Sequence, residues 1–183
     1  MTRSRTFPIA LLAFILGLLT LPAAAFLCFS YGHPPVATAD TPFPLEAKIV
    51  KIPLNARIDR EKPGQAPFAS TSETLVAGAH LYREQCASCH GLKDHPSQFG
   101  ATMFPRTPQL WVKHEGSDVV GVSDDPAGET YWKIENGIRL SGMPAYKTLL
   151  NQTQMWQIAL LLAAADKPLP QPADAILTQP FPQ

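Results

Sequence analysis

The sequence predicts an all-α protein: one helical domain with long loops, preceded by an N-terminal transmembrane helix and a proline-rich linker. Three observations carry that reading. Phe7 to Tyr31 is a run of 25 residues without a charge, and about 20 apolar residues cross the hydrocarbon core of a bilayer as a helix. Many of the 19 prolines crowd into residues 34–67 and 168–182, where they favour extended chain over a packed core. Between those stretches apolar residues recur at helical spacing, and nothing alternates as a strand would.

The N-terminal run decides the compartment. Arg3 and Arg5 precede it and stay on the cytoplasmic side by the positive-inside bias, which places everything after Tyr31 outside. The expectation is a single-pass protein of a bacterial cytoplasmic membrane whose domain faces the periplasm or exterior. A cleaved secretory signal is the alternative, because Ala23-Ala24-Ala25 after Pro22 has the small residues of a cleavage site. Phe26 to Phe29 prolong the apolar run past that point and favour an uncleaved anchor. Cys28 reads as a lipid-facing cysteine rather than a lipidation site, since Leu27 stands where a small residue is wanted.

The expected boundaries are 1–31 for the cytoplasmic stub and anchor, 32–69 for the linker, 70–168 for the domain and 169–183 for a proline-rich tail. In the linker only a short piece around Leu45 to Ile52 reads as ordered. A helix begins near Ser70 or Ser72, with Ser70 and Glu73 at capping-box spacing and Leu75, Ala79, Tyr82 and Cys86 on one face. Glu129 to Asn136 forms a shorter helix stopped by Gly137. The last helix is capped by Asn151 and Gln154, runs through Met155 to Ala165 and is followed by Pro168.

Fifteen basic and fifteen acidic side chains cancel, so overall charge gives no reason to expect a nucleic-acid partner. Three cysteines are too few for a disulfide framework, and two of them share one motif. Cys86-Ala87-Ser88-Cys89-His90 has the C-x-x-C-H spacing of covalent haem c attachment. Two thiols three residues apart lie on one side of a helical turn, where each can add to a porphyrin vinyl group. The next residue, His90, can then offer an imidazole nitrogen to the iron. A thioredoxin-like pair would need a βαβ context, and zinc would need a fourth ligand from a second cluster; the sequence has neither. Export to the side of the membrane where haem is attached in bacteria agrees independently with the motif.

Gly78-Ala79-His80-Leu81-Tyr82 leading into Cys86 to Gly91, then Ser141-Gly142-Met143-Pro144-Ala145-Tyr146, then Met155-Trp156-Gln157-Ile158 resemble the small class I c-type cytochromes over about residues 70–168. The resemblance implies a helical bundle around one covalent haem, with the first and last helices crossing closely at Gly78, Tyr82 and Trp156. It implies Met143 as the sixth iron ligand, in a loop where Gly142 permits close approach and Pro144 stiffens the chain. Met103 is the weaker alternative. The resemblance also matches Pro108-Gln109-Leu110 to a segment whose proline carbonyl orients the ligating histidine and whose leucine packs on the porphyrin, although residues 91–107 form a longer loop than the shortest relatives have.

Arg106, Trp111, Tyr131, Trp132, Arg139 and Tyr146 are candidate partners for the haem carboxylates or rim. The polar insert from Lys113 to Thr130 reads as a solvated loop. His80, His95 and His114 read as solvated or loop histidines. The expected function is one-electron transfer between redox partner proteins of a respiratory chain, without catalysis. Two other readings stay open: a haem enzyme or gas sensor with an open sixth position, and a haem subunit of a membrane-bound dehydrogenase or oxidase complex.

Overall fold

The computed structural model describes residues 6–181; Arg3 and Arg5, invoked for orientation, lie outside the described residues. Among those residues the chain is helical, with only isolated β-bridges and no strand. It divides into two compact units at Pro44 and Leu45.

The first unit is α1, Thr6–Tyr31, and the chain that leaves it. At 1.5 Å per residue its 26 residues reach about 39 Å, longer than a hydrocarbon core of about 30 Å. Its apolar side chains from Phe7 onward are exposed, as a helix meant for lipid requires. Beyond it, the exposed Asp40 carboxylate accepts the backbone N–H of Val36 and Ala37, each at 2.8 Å, and these bonds hold it below the usual carboxylate range.

The second unit contains α2 (Glu46–Glu61), α3 (Ser72–Gln85), α4 (Ala87–His90), α5 (Gln98–Ala101), α6 (Ala127–Asn136), α7 (Gln152–Leu162) and α8 (Gln171–Thr178). A short 3-10 helix, Tyr146–Thr148, precedes α7. The most extensive helix contact is between α3 and α7. A Cβ on Gly78 would stand 2.4 Å from the Gln157 carbonyl oxygen and 3.2 Å from Leu161 Cβ, so only glycine lets the two backbones approach this far. Tyr82 and Trp156 are both buried in this core, but each ring meets another neighbour. Tyr82 is edge-on to Trp111 at 5.6 Å, and Trp156 stacks on Tyr131 at 4.4 Å.

The expected cap of α7 is present in both directions: Gln154 N–H donates to Asn151 Oδ1 and Asn151 N–H to Gln154 Oε1, each at 2.9 Å. At α3 the cap moves by one residue. Thr71, not Ser70, takes the extended capping conformation and accepts from Thr74 N–H at 3.3 Å, which leaves Glu73 too early to complete a capping box. Helix α6 starts at Ala127, two residues before the expected start, and ends at Gly137 with φ 65°.

Two expected boundaries differ from the structure. The linker was expected to reach residue 69, but Glu46–Glu61 is a helix whose second half packs on α6. Ile58 is buried there, Trp132 Nε1 donates to Glu61 Oε2 at 3.0 Å, and the Arg57 guanidinium lies 5.9 Å from the Trp132 ring centre. The tail also folds: Gln171–Thr178 is a helix with Ala173 and Leu177 fully buried. Pro170 and Pro172 stand at its cap and first turn, where a missing N–H costs nothing. Arg83 of α3 closes its far end by donating to the carbonyls of Ile176, Gln179 and Pro180.

An ion network joins α2 to α6. Lys133 contacts Glu129 at 2.8 Å and Asp125 at 3.2 Å, and Lys62 contacts Glu129 at 3.4 Å and Asp59 at 2.8 Å. Two acids of the polar insert are therefore engaged in structural ion pairs. Burial pushes the Glu129 carboxyl up, but Lys133 and then Lys62 outweigh it and hold the group below its ordinary 4.5. For Lys133 burial works downward, yet Glu129 and Asp125 raise it above 10.5. The stabilisation from Glu129 is thus full above pH 4.5 and lost as pH falls through the lowered value. That from Lys133 is full below pH 10.5 and lost as pH rises through the raised one.

Two outcomes are expected. Gly78→Ala should destabilise the domain by about 1–3 kcal/mol in denaturant unfolding, because backbone rather than a flexible side chain blocks the new methyl; unchanged stability would remove the close crossing. Glu129→Gln should cost about 0.5–1 kcal/mol near neutral pH, and its deficit against wild type should shrink below pH 4.5. A deficit that persists in acid would mean that packing, not charge, is lost.

Candidate functional site

Cys86 is at once the last-turn cap of α3 and the cap of α4. Its N–H donates to the Tyr82 carbonyl at 2.9 Å, and its own carbonyl accepts from Cys89 N–H at 3.2 Å and His90 N–H at 2.9 Å. The motif therefore continues helical geometry after a change of direction. Gly91, φ 75°, ends α4. Two tyrosines pin the turn: Tyr82 donates to the Gly91 carbonyl at 2.7 Å and Tyr146 to the Gln85 carbonyl at 2.6 Å. Burial and the nearby Cys86 and Cys89 push the Tyr146 hydroxyl up to about 12, so it stays a donor.

His90 is held from two sides. Its Nδ1 bonds the Pro108 carbonyl at 2.9 Å, while its own carbonyl accepts from Leu110 N–H at 3.2 Å. A carbonyl can only accept, so the proton sits on Nδ1 and the lone pair is left on Nε2. Burial lowers the imidazole below its ordinary value, with the Pro108 bond working the other way. A neutral ring with a free Nε2 is the form that can ligate a metal.

Gln109, between Pro108 and Leu110, completes the clamp. Its Oε1 accepts from Ser97 N–H at 2.6 Å, and its Nε2 donates to the Cys89 carbonyl at 3.2 Å and the Thr107 carbonyl at 3.3 Å. Sequence reasoning passed over Gln109 as the middle of a three-residue pattern; the one available signal was an amide placed beside two positions already singled out. Gly100 packs under the motif, where a Cβ would stand 2.0 Å from the Cys89 carbonyl oxygen.

Thus Cys86, Cys89, His90, Pro108 and Leu110 form one hydrogen-bonded unit. Met143 lies apart from it in the turn between α6 and the 3-10 helix. Ile138 N–H donates to the Met143 carbonyl at 3.2 Å, and Met143 N–H to Ser141 Oγ at 3.3 Å. Gly137 cannot carry a side chain, since a Cβ would come within 2.7 Å of Ala145 N and the Met143 carbonyl oxygen. Met103 reaches the same turn: its methyl is 2.6 Å from where a Cβ on Gly142 would be, and its sulfur accepts from Thr107 Oγ1 at 3.2 Å.

The other candidates separate by their hydrogen bonds. Tyr131 donates to Glu135, Trp132 to Glu61 and Tyr146 to Gln85, while Arg106 and Arg139 are exposed. Trp111 is buried with its Nε1 lacking an acceptor in bonding geometry among the described residues.

The donor set fits a haem better than a bare metal ion. Burial, with Cys89 nearby, pushes the Cys86 thiol up to about 12. A thioether has no proton to lose and suits such an apolar site. No group of three metal-ligating side chains is assembled among the described residues. Trp111 Nε1 has the Tyr82 hydroxyl beside it but forms no bond in good geometry among the described residues, so it has a donor to give to a haem carboxylate.

Residues 73–162 match the family model described as cytochrome c oxidase, cbb3-type, subunit III. No curated relative matches the chain. Because the family match runs from the first turn of α3 to the end of α7, it takes in the close helix crossing together with the attachment motif, and the chain carries a c-type cytochrome domain that follows an apolar N-terminal helix fit for a membrane.

Proposed function

We propose that this electron-transfer protein carries one haem, bound through Cys86 and Cys89 with His90 and Met143 as axial ligands, and passes single electrons between respiratory proteins outside the cytoplasmic membrane. The observation that carries the reading is the Nδ1 bond from His90 to Pro108 at 2.9 Å, which leaves Nε2 for iron and stiffens the ring that would hold it. When bound, the haem iron supplies a reversible one-electron couple. Around it, Gln109 fixes the Cys89 and Ser97 backbone, and Leu110 offers an apolar side chain. Trp111 Nε1 is the donor proposed for a haem carboxylate.

A methionine thioether opposite a histidine raises the potential of the couple. The Met143 turn is ordered by its own Ser141 and Gly137 contacts, so the sulfur is carried on a rigid support. The sequence has one C-x-x-C-H and places its remaining cysteine, Cys28, in α1, which supports a single haem. The anchor in this reading is α1, with the domain on the exported side.

A second reading is favoured by the description of the matching family, which names an oxidase subunit. On that reading the domain relays electrons within a membrane-bound complex instead of diffusing between partners. Purification from native membranes in mild detergent separates the two: a partner held at constant stoichiometry through several columns supports the subunit, and a lone cytochrome supports the carrier.

The ligand assignment is tested by the long-wavelength sulfur-to-iron charge-transfer band of the ferric protein. Wild type should show it and Met143→Ala should lose it, with a fall in midpoint potential. A band that survives the substitution would move the ligand to Met103, whose sulfur already borders the same turn. A high-spin wild type without the band would put an open sixth position, and with it an enzyme or gas sensor, ahead of the carrier.

A further inference from the structure

We infer that the exposed face of α2 lies on a lipid surface, docked through Ile49, Ile52 and Ala56. This rests on the reading of α1 as a membrane anchor. At 3.6 residues per turn these positions fall in one stripe along the helix. Ile49 and Ile52 are 60% and 69% exposed, Ala56 is exposed as well, and Leu45, which precedes the helix at its cap, adds a further exposed apolar side chain. The opposite stripe is the one used by the fold: Leu54 is half-buried and Ile58 buried. Val50, also exposed, extends that inner stripe beyond the edge of the domain. The helix therefore has two apolar faces and covers only one.

Lipid is the occupant that chain length and charge select. Fourteen residues, 32–45, separate the end of α1 at Tyr31 from the start of α2 at Glu46, which fully extended span at most about 50 Å. The Asp40 turn takes up part of that reach. A helix tethered over that distance to a membrane anchor stays within reach of headgroups. Lys48 flanks the stripe on one side and Arg60 on the other, and neither makes an ion pair among the described residues. Apolar residues inserted at the headgroup boundary with cations beside them match an anionic lipid surface. Pro53 supports the same placement. It has no N–H for the Ile49 carbonyl, so the ladder is interrupted between the exposed half and the half fixed on α6.

The test uses the full-length haem-loaded protein in vesicles of phosphatidylglycerol and phosphatidylcholine that contain nitroxide-labelled lipid. A fluorophore is attached in a Cys28→Ser background to Ile49→Cys, Ile52→Cys or, as reference, Asn55→Cys; a further sample carries it on the native Cys28. The labels at 49 and 52 should be quenched by shallow lipid nitroxide severalfold more than the label at 55, and shielded from aqueous iodide. Replacing Lys48 with Glu should reduce that lipid quenching. A Cys28 label quenched by lipid together with labels at 49 and 52 open to iodide would overturn the docking and leave the anchor standing. If lipid reaches neither Cys28 nor positions 49 and 52, the anchor reading fails and takes the docking with it. Labels at 49 and 52 shielded from both quenchers would show a second protein copy on the stripe and overturn lipid as its occupant.

Discussion

The close passage of α3 against α7 at Gly78 is the constraint on which the domain depends. With a Cβ excluded by the Gln157 carbonyl, the two helices meet backbone to backbone, and their next turns carry the large side chains. Tyr82, one turn after Gly78, reaches both Trp111 and the Gly91 carbonyl. Trp156, beside Gln157, reaches Tyr131 of α6. One helix contact thereby sets where α3 ends, and so where the attachment motif turns, and where α6 ends, and so where the Met143 turn begins. Burial of these aromatic rings supplies the apolar area, while the glycine supplies the geometry that lets them be buried together.

The candidate site inherits its rigidity from backbone carbonyls more than from charge. The carbonyls of Gly91, Gln85, Pro108 and Cys89 each accept from a side chain, respectively Tyr82, Tyr146, His90 and Gln109. Loops of this length would otherwise leave such groups to water. Directing side-chain donors onto them ties the ends of α3 and α4 to the chain that follows, where α5 is the one short helix before α6, and leaves His90 Nε2 as the unused polar atom of the histidine. Fixed orientation of this kind also limits rearrangement when an electron arrives, which is what a carrier requires of its protein.

What could be read from the sequence divides along the same physical line. The α7 cap, the Gly137 stop and the C-x-x-C-H motif were legible because each is a local pattern whose meaning lies within a few residues. Helix α2 was legible only in its first half, as the ordered piece around Leu45 to Ile52, because Pro53 interrupts it and its apolar residues form two stripes, which together blur any single period. Helix α8 was hidden for the opposite reason: its prolines look like those of a tail, yet they occupy the start of a helix, where proline is tolerated. Gln109 was missed because its three partners, Ser97, Cys89 and Thr107, converge only in three dimensions. Local chemistry announces itself in sequence, whereas a side chain that joins loops does so only once the loops are placed.

The two elements added by the structure extend the domain in different ways. Helix α8 is bound by buried apolar side chains and by Arg83, so it belongs to the core of the fold. Helix α2 is bound to α6 at its C-terminal end, through Ile58, Trp132 and the ion pairs around Glu129, and its first half projects an apolar stripe. A helix held at one end transmits position without demanding rigidity along its whole length. If lipid covers the free half, the bond between Glu61 and Trp132 becomes the point where membrane and domain are joined, and the Met143 turn, which follows α6 directly, keeps a defined relation to that surface. The orientation of the electron-transfer face would then depend on α2 packing as well as on the length of the tether.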